Sequence, residues 1–174
     1  MKTLITFFIF LVTSNLFAQS AENRSTLSPK ALEAYTVKAE SKVTELYGYL
    51  ELLTDAKGNK EMKQQAAEAA AKLFIANTTG DNIFEPKTAG VTVKSVLESA
   101  KGQVKKHSFK VLNFTSEVIT ETPLKKEWIM NYQLLMNGVR FNISQSFYIV
   151  SENKQFGKTT KTVLNTYLGA ITFQ

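Results

Sequence analysis

His107 is the single histidine among 174 residues. It is the only side chain expected to titrate near neutrality. It follows Lys105 and Lys106 at the start of a long alternating segment. A catalytic histidine needs an acid to orient it and a nucleophile to serve. The only aspartates, Asp55 and Asp81, fall in predicted loops, so His107 is expected to be a solvated or capping residue and no catalytic set is assigned. The chain has no cysteine, which excludes disulfides, thiol catalysis and Cys-ligated zinc or iron–sulfur centres. One histidine excludes a multi-His metal site, and no metal or cofactor is expected. The phosphate-loop, dinucleotide, serine-elbow, zincin and EF-hand patterns are all missing from the sequence.

A second chemistry is anion binding. Lys101, Lys105, Lys106, His107 and Lys110 form a basic run, joined by Lys125 and Lys126. Such a surface fits an acidic polysaccharide, lipid headgroups or an acidic protein. The competing reading is a solvated strand edge kept soluble by charge. Nucleic acid is disfavoured: the chain has 19 Lys but only two Arg, Arg24 and Arg140, and base readout favours Arg. The charge is uneven, with a net of −2 over residues 19–86 and +7 over residues 87–174.

The elements that must position these residues come in two kinds. Ser28 and Pro29 suit a helix start. Leu32, Tyr35, Ala39, Val43, Leu46, Leu50 and Leu53 then recur at spacings of three and four, one face of a helix. Gly48 inside that helix predicts a close neighbour. After an Asp55–Asn59 turn, a second helix is expected over 60–76, with Met62, Ala66, Ala69, Leu73 and Ala76 on one side. Residues 77–90 form a polar loop pinned by Ile83 and Phe84. Residues 91–101 fit either a short strand or a short helix ending at Gly102. From Ser108 the period is two, with strands expected over 108–121, 125–136, 139–150 and 155–172.

Asn137-Gly138 between two alternating runs predicts a two-residue hairpin. That turn sets Met136 opposite Val139, Leu134 opposite Phe141, Tyr132 opposite Ile143, Met130 opposite Gln145 and Trp128 opposite Phe147. One face becomes almost wholly apolar, and a one-residue slip would mix the two faces. The preceding strand is expected to add Leu112 beside Leu134, Phe114 beside Tyr132 and Val118 beside Trp128. In the last strand Phe156, Leu164 and Leu168 lie on one parity and Val163, Tyr167, Ile171 and Phe173 on the other, which fits either a bulge or burial on both faces. Trp128, Tyr132, Phe141, Gln145 and Phe147 are the candidate ligand-pocket residues, with Tyr132 and Gln145 as the polar tips; alternatively those tips satisfy each other within a core. The opposite face, where Val111, Ile129 and Leu135 interrupt polar neighbours, is a candidate homodimer surface. The simplest burial lays the helices across the apolar face, giving an α+β fold.

This order of helix pair, loop, short helix and long meander resembles the NTF2-like superfamily. The likeness rests on the helical segments Leu32–Leu53 and Met62–Ala76 and on the hairpin WIMNYQLLMNGVRFNISQSFYIV. The stretch YGYLELLTDAKGNKEMKQQAAEAAAKLF is similar to secreted bacterial members. The resemblance implies N-terminal helices packed on one face of a strongly curved antiparallel sheet, a cone; a cystatin-like helix-on-sheet fold is the alternative. Enzymes of this kind place Asp, His or Tyr inside the cone, whereas the inferred inner face here holds no carboxylate. The expected function is therefore a non-catalytic domain for protein interaction or assembly in the bacterial envelope. The alternatives are a carrier of a small apolar ligand, and an isomerase, dehydratase or hydrolase.

Residues 1–18, MKTLITFFIFLVTSNLFA, have the layout of a secretory signal peptide, with Lys2, an apolar stretch and Ala18 at the cleavage point. The apolar run of about ten residues is short of the roughly 20 that span a bilayer. The expected organisation is a signal peptide over 1–18, a flexible mature N-terminus over 19–27 and one domain over 28–174. The product is expected to be exported, periplasmic or extracellular, with no transmembrane segment in the mature chain.

Overall fold

Ser28 starts the first helix as its type predicts: its Oγ accepts from the Ala31 N–H at 3.3 Å, with Pro29 at the first helical position. Helix α1 spans Pro29–Thr54. Ala39, Val43, Leu46, Leu50 and Leu53 are buried along it, joined by Tyr47 and Thr54. The structure, a computed structural model, describes residues 27–121 and 125–174. The expected signal peptide, the stretch 19–26 and the Thr122-Pro123-Leu124 loop lie outside the described residues. Gly48 is exposed, and a Cβ there would meet nothing within 4 Å. The close neighbour expected there is not found.

Asn59 caps helix α2, Lys60–Lys72, by accepting from the Met62 N–H at 2.7 Å. This helix ends four residues earlier than its apolar pattern predicts. The chain leaves it to pair with a strand: the Leu73 carbonyl accepts from the Leu168 N–H at 2.7 Å, and the Ile75 N–H donates to the Leu168 carbonyl at 3.0 Å. A tertiary partner thus overrides local helix preference. Strands β1 (Thr79–Gly80) and β2 (Val91–Thr92) pair antiparallel, and helix α3 (Val93–Lys101) follows, so the ambiguous segment is strand and then helix.

The main sheet contains β3 (Phe109–Glu121), β4 (Lys125–Met136), β5 (Val139–Phe156) and β6 (Thr159–Phe173), antiparallel in the order β3-β4-β5-β6. Every pair predicted from the Asn137-Gly138 turn is present. Both turn residues have positive φ, 52° and 85°, the conformation that Asn-Gly tolerates. Every second residue of β4 from Lys126 to Met136 is buried. That face packs on α1, with Tyr35 beside Trp128 and Tyr47 beside Tyr132, while α2 and α3 pack against α1. The fold is α+β, with helices on one face of one antiparallel sheet. None of the described helices is long and apolar enough to cross a membrane.

Two expectations are corrected, for β3 and for the β5–β6 turn, and the alternative left open for the last strand is decided. First, a bulge between Leu112 and Thr115, with Asn113 at φ 52°, shifts the first half of β3. Val111, not Leu112, faces Leu134, so Val111 packs inward and Leu112 takes the outer face. Phe114 still stacks on Tyr132 at 6.2 Å, and Val118 faces Trp128 as expected. Second, β6 carries an extra residue where Gln145 and Phe147 face Ile171 and Leu168. That bulge puts Leu168, Ile171 and Phe173 on the inner face, while Val163 and Tyr167 lie half-buried on the outer one opposite Glu152 and Tyr148, so the strand has both a bulge and apolar groups on two faces. Third, β5 continues to Phe156, and the turn falls at Gly157-Lys158 rather than over 151–154. Gly157, at φ 62°, supplies the bend.

Candidate functional site

The five inner-face residues come together between α1 and the sheet. Trp128 lies 6.1 Å from the Tyr35 ring and meets Phe147 edge-on at 5.9 Å. Phe141 sits at the margin, half-buried, with Phe173 edge-on at 5.5 Å. Tyr132 and Gln145 are 3 % and 1 % exposed, too little for contact with solvent. The Tyr132 hydroxyl donates to Gln145 Oε1 at 2.8 Å, and Gln145 Nε2 donates to the Gly169 carbonyl at 3.4 Å. The Tyr47 hydroxyl stands 2.9 Å from the Tyr132 hydroxyl. Tyr132 has one proton and spends it on Gln145, so Tyr47 is the donor to Tyr132. A directed chain runs Tyr47, Tyr132, Gln145, Gly169. Burial pushes both phenols well above their usual pKa, so both are neutral at physiological pH.

Sequence reasoning placed Tyr132 and Gln145 together but missed Tyr47. The α1 pattern puts Tyr47 one residue past Leu46 on the buried face, which is the only available signal.

Beside this cluster lies a small apolar cleft. It is lined by Leu46, Leu50, Phe74, Ile83, Val96 and Ile171 among others, and its cavity is about 20 Å³. That is space for about one water. Asp81, at its rim, is an edge clamp: its N–H donates to the Ile171 carbonyl at 2.8 Å and its Oδ2 accepts from the Phe173 N–H at 2.9 Å. Ile83 is buried and Phe84 half-buried, so they pin the loop as expected.

No family model matches the chain, and no curated protein is significantly similar to it.

The basic run is distributed over different surfaces. Lys101 pairs with Glu98 at 2.7 Å and reaches Gln64 on α2 at 3.2 Å. Lys106 pairs with Asp55 at 3.2 Å. The Lys57 backbone N–H, and then Lys106, hold the Asp55 carboxyl below its usual range. Lys105 is exposed, and Lys110 is exposed opposite Leu135 on the outer sheet face.

His107 is a seam residue. Its N–H donates to Thr54 Oγ1 at 3.0 Å, and its ring stacks on Phe109 and meets Phe84 edge-on. Asn137 Oδ1 accepts from the Ser108 N–H at 3.0 Å, which turns Asn137 Nδ2 toward His107 Nδ1 at 2.9 Å. The imidazole therefore accepts at Nδ1 and ties the start of β3 to the β4–β5 hairpin.

The outer sheet face is uncovered by any described element. Leu112, Ile129 and Leu135 are half-buried on it. An amide ladder crosses it, Asn113 Nδ2 to Gln133 Oε1 at 2.9 Å and Gln133 Nε2 to Asn142 Oδ1 at 3.4 Å. Glu117, Glu127, Lys110 and Arg140 bring both signs of charge. Glu152 lies within β5, beyond the strand end expected at residue 150, where Tyr167 donates to it at 2.7 Å and Asn165 also donates. Those bonds, Tyr167 foremost, hold its carboxyl below the usual range.

Proposed function

We propose that this protein is an exported, non-catalytic NTF2-like domain that acts by protein interaction in the bacterial envelope, pairing with a second copy through the outer face of its sheet. The observation that carries the reading is the division of labour between the two faces. Inside, the polar groups are consumed by one another in the Tyr47–Tyr132–Gln145 chain, and His107 is committed to Asn137 and two phenylalanine rings. Outside, a broad sheet face carries three apolar side chains among amides and charges of both signs. A twofold pairing presents the same patch to itself, so mixed signs and apolar residues near the middle are what it requires.

A second reading is supported by the apolar cleft. Its wall is formed partly by Thr78, Gly80, Asp81 and Ile83 of the loop 77–90, and a small apolar ligand would enter only by breaking the Asp81 bonds that hold that loop to β6. Native mass spectrometry of the purified protein tests both readings together. We expect a dimer that Ile129→Lys converts to monomer with the melting temperature kept. A monomer at every concentration overturns self-association. A copurified small molecule, released when Leu50→Trp fills the cleft, would favour the carrier.

A further inference from the structure

Strand β5 outruns its neighbour. Among the described residues, pairing with β4 ends at Lys125 opposite Val150, but pairing with β6 continues through six more pairs, from Ser151 with Leu164 to Phe156 with Thr159. At about 3.4 Å per residue this ribbon projects about 20 Å. Among the described residues, these six pairs have only each other as strand neighbours. A lone two-stranded ribbon is marginal in water, yet this one exposes Phe156 (51 %) and Leu164 (49 %). Val118 and Ile119, at the same end of the sheet, are also exposed.

Its charge is as unusual as its shape. Lys154 lies directly opposite Lys161, and Lys158 occupies the turn. Like charges facing each other across strands are destabilising. None of the three lysines forms an ion pair among the described residues. Lys154 reaches the Asn165 amide oxygen at 3.4 Å and lies near enough to Glu152 to help hold that carboxyl down, but forms no ion pair with it. Cross-strand partners share a face, so Lys154, Lys161 and Phe156 lie on one side of the tip. An anion held between the two ammonium groups would remove their repulsion.

We propose that the β5–β6 ribbon docks on an anionic lipid surface, with Phe156 entering the headgroup layer and Lys154, Lys158 and Lys161 facing lipid phosphates. The ribbon extends past its described neighbour, and a fluid bilayer moulds around a projecting tip, whereas a polysaccharide or peptide chain is held in register by a groove. An apolar ring beside long cationic stems is the pattern of an interfacial anchor. The inference is independent of self-association, which uses the central sheet face.

Vesicle co-sedimentation of residues 19–174, which leave out the apolar segment 1–18, tests it, with phosphatidylcholine vesicles and with equal parts phosphatidylcholine and phosphatidylglycerol. We expect binding to the anionic vesicles only, weakening with salt. The triple variant Lys154→Gln, Lys158→Gln, Lys161→Gln should lose about 100-fold in partitioning, at about fivefold per lysine. Phe156→Ser should lose about tenfold. Lys94→Gln with Lys105→Gln, both exposed and away from the ribbon and the outer sheet face, should bind like the parent, and a circular-dichroism melt confirms that each variant folds. Equal binding to both vesicle types, unchanged binding of the triple variant, or binding to soluble polygalacturonate without binding to vesicles overturns the proposal.

Discussion

The Tyr132 hydroxyl both donates and accepts inside the core, which makes it the most consequential polar atom in the fold. Tyr132→Phe leaves Gln145 Oε1 without its donor and the Tyr47 hydroxyl without its acceptor, both buried. A buried polar group stripped of its partner costs about 1–3 kcal/mol, so a loss of about 3 kcal/mol is expected in urea denaturation. Tyr47→Phe removes only the first donor of the chain and should cost about 1 kcal/mol. Pairing Tyr132→Phe with Gln145→Leu removes the acceptor as well and should recover part of the loss. Equal costs for Tyr132→Phe and Tyr47→Phe would show that the directed chain is not what stabilises the interior.

Two glycines separate local preference from tertiary demand. A Cβ on Gly80 would stand 2.7 Å from both the backbone N and O of Ile171, and backbone atoms cannot swing aside. Gly80→Ala should lift the β1 loop from the β6 edge, with loss of the two Asp81 bonds. We expect a cost of about 3 kcal/mol and faster amide exchange at Asp81 and Phe173. Gly48→Ala, in open space on α1, should instead stabilise by about 0.5–1 kcal/mol; the reverse order would remove the edge-cover argument. The same contrast explains what could be read from the residues. The caps at Ser28 and Asn59 and the Asn137-Gly138 register are local chemistry backed by alternation, and they were legible. The end of α2 was not, because Leu168 fixes it from about a hundred positions away. The Asn113 and Gly169-Ala170 bulges were illegible or ambiguous for a similar reason: a bulge is chosen by the neighbouring strand, and alternation alone shows only that parity breaks. The inner-face list was legible from the hairpin, but not its filling by Tyr47, which arrives from a helix 85 residues away.

At the scale of the molecule, a chain without cysteine depends on its core for stability, and that core holds two neutral phenols under α1. This couples stability to alkali with a definite sign. Desolvation raises the pKa of Tyr47 and Tyr132 in the folded state above the ordinary value of 10. Below that value both states keep both protons, and the contribution to stability is complete. Above it the unfolded chain releases two protons that the folded chain retains, so the unfolded state binds fewer and stability falls as pH rises. At about 1.4 kcal/mol per proton per pH unit, the slope from these two groups approaches about −2.7 kcal/mol per unit above pH 10. Tyr49, hydrogen-bonded to Glu45, and Tyr167, hydrogen-bonded to Glu152, are shifted in the same direction and add to it. Urea midpoints measured from neutral pH into the alkaline range should be level at first and then drop. Tyr47→Phe should reduce the slope by about half of the two-proton value. Ultraviolet titration of the folded protein should leave two of its six tyrosines unionised until it unfolds. If all six titrate together with no loss of structure, the two hydroxyls reach water, and the closed interior on which the surface-binding reading rests is lost.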